Sequence, residues 1–209
     1  MNDTQPKKKE LKTREDALLA LANSQEPLAI KLTNDFAFKK AFSNKKVMKG
    51  FLNALPLFKG IPIADIEFTN TFLSGDTLED REGILDLRLR LANQTKINIE
   101  MQVEPFADWA ERTLFYTSKM YTENFLHGQP YGMLEPCIHI GILHFSCMKS
   151  PEFYHVIHLC DEKTGEIYSD KMEFFVIELK KLETADYQEK QSELWKWAQL
   201  INTDDREVL

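Results

Sequence analysis

Residues 84–103 read ILDLRLRLANQTKINIEMQV, and apolar and polar side chains alternate on both sides of a short polar break. The apolar positions are Leu85, Leu87, Leu89 and Leu91 before the break and Ile97, Ile99, Met101 and Val103 after it. Because successive side chains of a strand point to opposite faces, a period of two indicates a strand. The stretch therefore predicts a β-hairpin with residues 92–94 as its loop.

The same alternation predicts how the two strands pair. With a three-residue loop, each leucine of the first strand lies opposite an apolar residue or Thr95 of the second. A shift by one residue would bury the charged set, so this register, or one displaced by two residues, is favoured. Residues directly opposite in an antiparallel pair share a face, and this register sets Asp86 opposite Glu100.

Two facing carboxylates suggest chemistry, because like charges held opposite each other are destabilising unless they share a proton or bind a cation. Mg²⁺ takes oxygen ligands from one or two carboxylates and keeps water and substrate phosphate as the rest. Asp86, followed by Glu100 and Gln102 on the next strand, thus suits a metal-assisted phosphodiester hydrolase. The alternative is that these acids simply face water, with Arg88 and Arg90 to neutralise them.

Other segments predict an α/β domain, a mixed sheet flanked by helices. A helix starts near Asp35, capped by Thr33 or Asn34, and a helix after Pro105 is rich in apolar residues at helical spacing. Two more helices are predicted at 45–55 and around 187–201, and further strands at 63–73, 137–145, 153–160 and 173–179. Residues 1–26 read as a polar tail, and residues 27–209 as the domain.

Lysines are concentrated in one part of an acidic chain. The net charge is −7, yet residues 31–60 hold seven lysines and one acid. Such a stripe can contact a phosphate backbone, which makes Lys39, Lys40, Lys45 and Lys46 candidate DNA-binding residues. A solvated, lysine-rich helix is the alternative.

The sequence also predicts where the protein works. It contains neither an apolar run long enough to span a bilayer nor a secretory segment at its start. Three cysteines without metal-ligand spacing are typical of buried thiols in a reducing compartment. We therefore expect a cytoplasmic protein without a membrane partner.

Taken in order, several motifs resemble the PD-(D/E)xK nuclease superfamily, and within it the recombination-promoting nuclease and transposase (Rpn-like) family. The matching segments are NDFAFKKAF (34–42), ILDLRL (84–89), NIEMQV (98–103), WAERTLFYTSKMY (109–121) and GQPYGMLEPCIHIGILHF (128–145). The resemblance implies a restriction-endonuclease-like core. It also implies a DNA endonuclease that uses Mg²⁺ or Mn²⁺ and is linked to recombination or transposition.

The resemblance assigns roles to individual residues. Asp86 and Glu100 would bind the metal ion, and Gln102 stands where the wider superfamily usually has lysine. Gln102 can still hydrogen-bond a water molecule or a phosphate oxygen. Asp35 resembles an acid that some members add to the metal site, although it would equally serve the start of its helix. Lys119, one turn after Tyr116, would supply the missing positive charge or pack beside Tyr116.

A second function stays open, that of a catalytically inert DNA-binding or protein-interaction domain on the same fold. We also leave open whether the domain is a homodimer and whether it is truncated at its C-terminal end.

Overall fold

The structure, a computed structural model, describes residues 31–61, 63–73 and 83–203, so the predicted tail over 1–26 lies outside the described residues. The helices are α1 Asp35–Phe42, α2 Lys45–Ala54, α3 Trp109–Thr122, α4 Tyr187–Lys190 and α5 Glu193–Asn202. The strands are β1 Ile66–Phe68, β2 Phe72–Leu73, β3 Gly83–Ile84, β4 Leu87–Leu91, β5 Lys96–Gln102, β6 Cys137–Leu143, β7 Tyr154–Cys160 and β8 Ile167–Glu178.

Six of these strands form one mixed sheet in the order β1-β4-β5-β6-β8-β7, and β2 and β3 form a separate pair. Strands β5, β6 and β8 run parallel, whereas the outer strands pair antiparallel. The prediction of an α/β domain with a mixed sheet flanked by helices is confirmed.

The hairpin that the alternation predicts is formed by β4 and β5. Leu87 pairs with Ile99 and Leu89 with Ile97, which is the predicted register. The loop closes with Gln94 in the left-handed region at φ 69°. The register is therefore correct wherever the two strands pair.

The pairing of β4 with β5 ends at Leu87 and Ile99, one residue pair before Asp86 and Glu100, because β4 begins only at Leu87. Asp86 lies in a bend, and the preceding residues turn away so that Gly83–Ile84 pairs with Phe72–Leu73. The prediction that Asp86 pairs directly with Glu100 in the ladder is therefore wrong. The predicted strand over 63–73 is split into β1 and β2 for the same reason, since its second half joins β3.

One face of the hairpin packs into the main hydrophobic core. Its leucines and isoleucines pack with α1, α2 and α5, through residues such as Phe38, Phe42 and Leu52. Asn34 begins α1, since its side chain accepts a hydrogen bond from the Ala37 N–H. This confirms one of the two predicted caps.

The polar face of the hairpin is covered by α3 instead of water. Arg88, Lys96, Asn98 and Glu100 are all buried, and the Lys96 ammonium donates to the Met120 carbonyl at 2.9 Å. Neighbouring β6 brings Gly141 under the indole of Trp109, where an added Cβ would lie 2.7 Å from the ring. The alternative that the acids face solvent is therefore wrong for Glu100.

Two further predictions need correction. The closing helix is broken into α4 and α5, because the Ser192 hydroxyl accepts from the Trp195 N–H and starts a new helix. Of the three cysteines, only Cys137 is buried, whereas Cys147 and Cys160 are exposed. In the described ranges, every helix falls short of the length and apolar character that crossing a bilayer requires.

Candidate functional site

Asp86 stays beside β5 although the ladder ends before it. Its Oδ2 atom accepts a hydrogen bond from the Met101 N–H at 3.0 Å, one residue past Glu100. Its Oδ1 atom lies 2.9 Å from the Lys39 ammonium. The bend therefore replaces a ladder pairing with a side-chain contact, and keeps the carboxylate next to the strand that carries Glu100.

Glu100 is a buried carboxylate with few partners. The Asn98 amide donates to its Oε1 atom at 3.2 Å, and the Arg112 guanidinium lies 3.7 Å from Oε2. Burial raises the pKa of Glu100, the Asp86 charge raises it further, and Arg112 and Asn98 act in the opposite direction. The two acids are thus close enough to interact, as predicted, and Glu100 holds a proton more readily than an ordinary glutamate.

Lys39 links two of the predicted acids, Asp35 on α1 and Asp86 beside the hairpin. Its ammonium lies 2.8 Å from Asp35 Oδ1 and 2.9 Å from Asp86 Oδ1. Partial burial lowers the pKa of Lys39, but the contacts with Asp35 and Asp86 outweigh this effect and leave its pKa raised. Lys39 is therefore part of the acidic site, and its ammonium already binds the carboxylates that were expected to meet a metal ion.

Asp35 lies at the exposed edge of this group, with its side chain 66% exposed. Asn34 is the residue that caps α1, so Asp35 is not needed for that purpose. In the first turn it still has a favourable interaction with the helix dipole. Its contact with Lys39 brings it to the site.

Gln102 lies on the same face of β5 as Glu100, as the alternation predicts. Its amide donates to the Glu104 carbonyl at 3.1 Å, and the side chain is half-buried. One of its two polar groups is thus used within the chain, at the end of the strand.

Two residues of this site received no role from the sequence, and Arg112 is the first of them. It lies on α3 between the rings of Phe106 and Tyr116, with its guanidinium carbon 5.9 and 5.4 Å from the ring centres. Its four-residue spacing from Tyr116 was a usable signal, since such residues share a helix face. Asn98 was recognisable in the same way, two residues before Glu100 on one strand face.

The remaining predicted lysines have other surroundings than Lys39. Lys40, Lys45 and Lys46 are exposed, and Lys45 lies 3.6 Å from exposed Asp65. The Lys119 ammonium lies over the Phe115 ring, 5.5 Å from its centre. Tyr116 is buried against Leu73 and Leu85.

The residues of this site suit a hard cation, although they do not form a complete cage. Among the described residues, no group of three or more His, Cys, Asp or Glu side chains is placed to hold a metal ion. Asp86 and Glu100 nevertheless supply carboxylate oxygens, the donors that Mg²⁺ prefers. The Lys39 ammonium between Asp35 and Asp86 shows that this location favours a positive charge.

Comparison with known proteins identifies the family. Neither the curated proteins nor the solved structures give a match. A family profile, described as PD-(D/E)XK nuclease family transposase, matches residues 32–209. The six-stranded mixed sheet with flanking helices is consistent with the restriction-endonuclease-like core of such nucleases. The chain therefore belongs to the PD-(D/E)XK nuclease family of transposases.

Proposed function

We propose that this protein is a Mg²⁺-dependent DNA endonuclease linked to recombination or transposition. The observation that carries the proposal is Glu100, a buried carboxylate with a raised pKa beside Asp86, in a chain of a nuclease family. A structural role alone would favour a fully paired carboxylate, because an incompletely paired buried charge is costly. A group kept in this state is typical of a functional site.

In the proposed site, Asp86 and Glu100 would hold Mg²⁺, with Mn²⁺ as a substitute and Asp35 at the outer edge. When bound, the ion would polarise the scissile phosphate and lower the pKa of a water molecule. Asn98 orients the Glu100 carboxylate through its hydrogen bond, and the Met101 N–H orients Asp86. These contacts fix both carboxylates before any ligand binds.

The cationic side chains would act on the substrate. Lys39 neutralises Asp35 and Asp86 in the absence of metal, and is placed to contact a phosphate oxygen when the carboxylates bind another cation. Arg112 lies beside Glu100 and supplies a second positive charge near the same phosphate. Lys40, Lys45, Lys46 and Lys119 would contact the DNA backbone farther away, in a cytoplasmic protein whose working domain spans residues 27–209.

One observation favours a second function, an inert DNA-binding or protein-interaction domain. Lys39 already forms ion pairs with Asp35 and Asp86, and a lysine that cannot be displaced would exclude the metal ion. The two functions differ in metal affinity as well as in cleavage.

The test combines both measurements. Supercoiled plasmid is incubated with the protein and Mg²⁺ or Mn²⁺, with EDTA as the control, and Mn²⁺ binding is followed by calorimetry. We expect nicking that requires metal. Asp86→Asn and Glu100→Gln should each lower the nicking rate by more than about 100-fold, because changing a residue that only supports a metal ligand typically costs about 10- to 100-fold. Glu67→Gln, at an exposed acid of β1, is the matched control. Unchanged Mn²⁺ binding in both site variants would contradict the proposal.

A further inference from the structure

A large apolar cavity opens beside the carboxylate site. Its volume is about 700 Å³, and its walls include the rings of Trp109, Phe145 and Phe174. Leu114 and Leu159, at 48% and 45% exposure, lie at its open side. None of the described side chains that line it is Asp, Glu, Lys or Arg. The cavity therefore suits a neutral, flat molecule and not a phosphate.

The cavity lies on the same sheet face as Glu100. In the pairing of β5 with β6, Asn98 is beside His139 and Glu100 is beside Gly141. His139 lines the cavity, and the Trp109 ring that covers Gly141 is another part of its wall. Adjacent strands are about 5 Å apart, so the wall begins one strand away from the proposed metal-binding carboxylate.

His139 is one of the polar residues in the cavity wall. It is 1% exposed, its Nδ1 atom lies 3.0 Å from the Asn98 amide nitrogen, and its buried Nε2 atom has no hydrogen-bond partner among the described residues. Because the Asn98 amide donates to Nδ1, the proton of the neutral ring is on Nε2, which makes that atom a donor. Burial lowers the pKa of His139 to about 3, so the ring is neutral at pH 7. Nε2 is thus a buried donor without an acceptor in the described part of the chain, and a ligand acceptor that reached it would complete its hydrogen bonding.

We infer that this cavity binds an unpaired DNA base next to the scissile phosphate, so that the preferred substrate is DNA with an unstacked nucleotide. The inference rests on the proposed function, since it names the substrate of that site. A base is flat, neutral and rich in acceptors, and bases stack well on aromatic side chains. The cavity volume accommodates a base together with its sugar, while the adjoining phosphate would lie beside the metal ion that Glu100 and Asp86 are proposed to hold. Enzymes that take a base out of a duplex use pockets of this kind.

The test measures binding in EDTA, where cleavage does not occur. Fluorescence anisotropy compares a duplex that carries one bulged nucleotide with the same duplex carrying an abasic residue at the bulge. We expect the base to raise the affinity roughly 5- to 100-fold, the range that stacking of one base provides. Ala110→Phe fills the cavity from an exposed position of α3 and should abolish this difference, as should Leu159→Trp from the opposite side.

Ser118→Phe is the matched control, because it places the same ring at an exposed position of α3 that is not part of the cavity wall. It should keep the preference. Equal affinity of the parent protein for both duplexes would overturn the inference, as would a preference that survives in folded Ala110→Phe and Leu159→Trp. Binding of free thymidine or adenosine in the cavity, without a preference for the bulged base, would also overturn it.

This outcome is independent of the cleavage test. Metal-dependent nicking without a preference for the bulged base would contradict only the inference. A preference for the base that depends on Ala110, in a protein that binds no Mn²⁺, would contradict only the proposed function.

Discussion

Two buried glutamates on neighbouring parts of one sheet face are held in opposite ways. Glu178, at the end of β8, is in contact with four donors: the N–H groups of Cys147 and Met148, the His155 ring and the Lys181 ammonium. Burial would raise the pKa of Glu178, but these contacts lower it overall. Of the residues that the structure describes, Glu100 is in contact with only Asn98 and a more distant Arg112, and burial keeps its pKa raised.

The difference separates a carboxylate that is fully paired within the chain from one that the proposed function assigns to a metal ion. Glu178 uses its charge to join the loop at 147–148 to the end of the sheet, and the interaction is complete within the chain. Glu100 carries a charge that its surroundings do not fully compensate. A cation is what would complete its environment, so stability measurements on the two residues test the proposed site without any substrate.

The largest effect is expected at Glu178. Glu178→Gln leaves the Lys181 ammonium without its buried anion, and breaking a buried ion pair in this way costs about 3 kcal/mol of unfolding free energy. Urea unfolding at pH 7 measures the loss. Stability equal to that of the parent would show that the contacts of Glu178 do not stabilise the fold. Glu173→Gln, at a half-buried glutamate of the same strand, is the control.

Glu100→Gln should show the opposite sign. A raised pKa means that the folded state binds the proton more tightly than the unfolded chain, so the stability that the protonated carboxyl contributes is present below its unfolded pKa and is lost as the pH rises through its folded pKa. The variant should therefore be at least as stable as the parent at pH 7, and the difference should disappear below about pH 4. Arg112 is one-third exposed, so water can replace its lost partner.

Unfolding curves from about pH 2 to about pH 8, which extend to both sides of the ordinary glutamate pKa, test this expectation, with Glu178→Gln as the comparison. The contribution of Glu178 is present above its unfolded pKa and is lost as the pH falls through its lower folded pKa. The gap between Glu178→Gln and the parent should narrow toward acid pH, whereas the gap for Glu100→Gln opens toward neutral pH. If the stability differences of both variants from the parent changed in the same direction with pH, the distinction between the two glutamates would be lost.

The same distinction applies to the lysines. Lys39 is paired with two carboxylates, whereas Lys40 and Lys46 are exposed on α1 and α2. Each lysine that contacts a phosphate contributes about one unit to the slope of log affinity against log salt. Lys40→Gln with Lys46→Gln should reduce this slope by about two for duplex DNA in EDTA. Lys39→Gln should change it less, because Lys39 is already neutralised.

Binding isotherms over a series of salt concentrations supply these slopes. Equal slopes in the parent and the double variant would show that Lys40 and Lys46 face solvent and do not contact DNA. That is the alternative that the sequence left open for these lysines. A larger effect of Lys39 than of the pair would show that Asp35 and Asp86 release it to the DNA even without metal.

The sequence predicts local features of this molecule better than long-range ones. Alternation predicted the pairing of β4 with β5, because a shift by one residue would have exchanged the core face for the polar face. It did not predict the bend at Asp86, which depends on β3 pairing with β2.

The composition of the candidate site shows the same limit. Asp86 and Glu100 were recognised from their strands and from the motifs of the family. The contact of Lys39 with Asp86 joins residues far apart in the chain, and the covering of the polar face by α3 depends on how that helix packs. The spacing of residues along the chain predicts neither contact. The sequence alone therefore could not separate Lys39, which lies in the site, from the exposed lysines of the same stripe.

Gln102 provides the smallest expected effect, and tests whether a residue with one internal partner also acts in the site. It shares the face of Glu100, and its amide donates to the Glu104 carbonyl. It carries no charge, so it cannot be a main electrostatic stabiliser of the transition state. Gln102→Ala should reduce the rate of single-turnover cleavage by about 10-fold, which is the size of effect expected when a residue that supports a metal ligand is changed. The Mn²⁺ affinity should stay nearly intact.

Gln102→Lys restores the residue that is common at this position in the superfamily, and should keep or raise the cleavage rate unless its ammonium pairs with Glu100 or Asp86. Mn²⁺ titration distinguishes these results, because such pairing would weaken metal binding. Cleavage by Gln102→Ala at the parental rate would make Gln102 a strand-end residue whose hydrogen bond to Glu104 is its whole role. The chemistry would then depend on the two carboxylates and on the positive charges of Lys39 and Arg112.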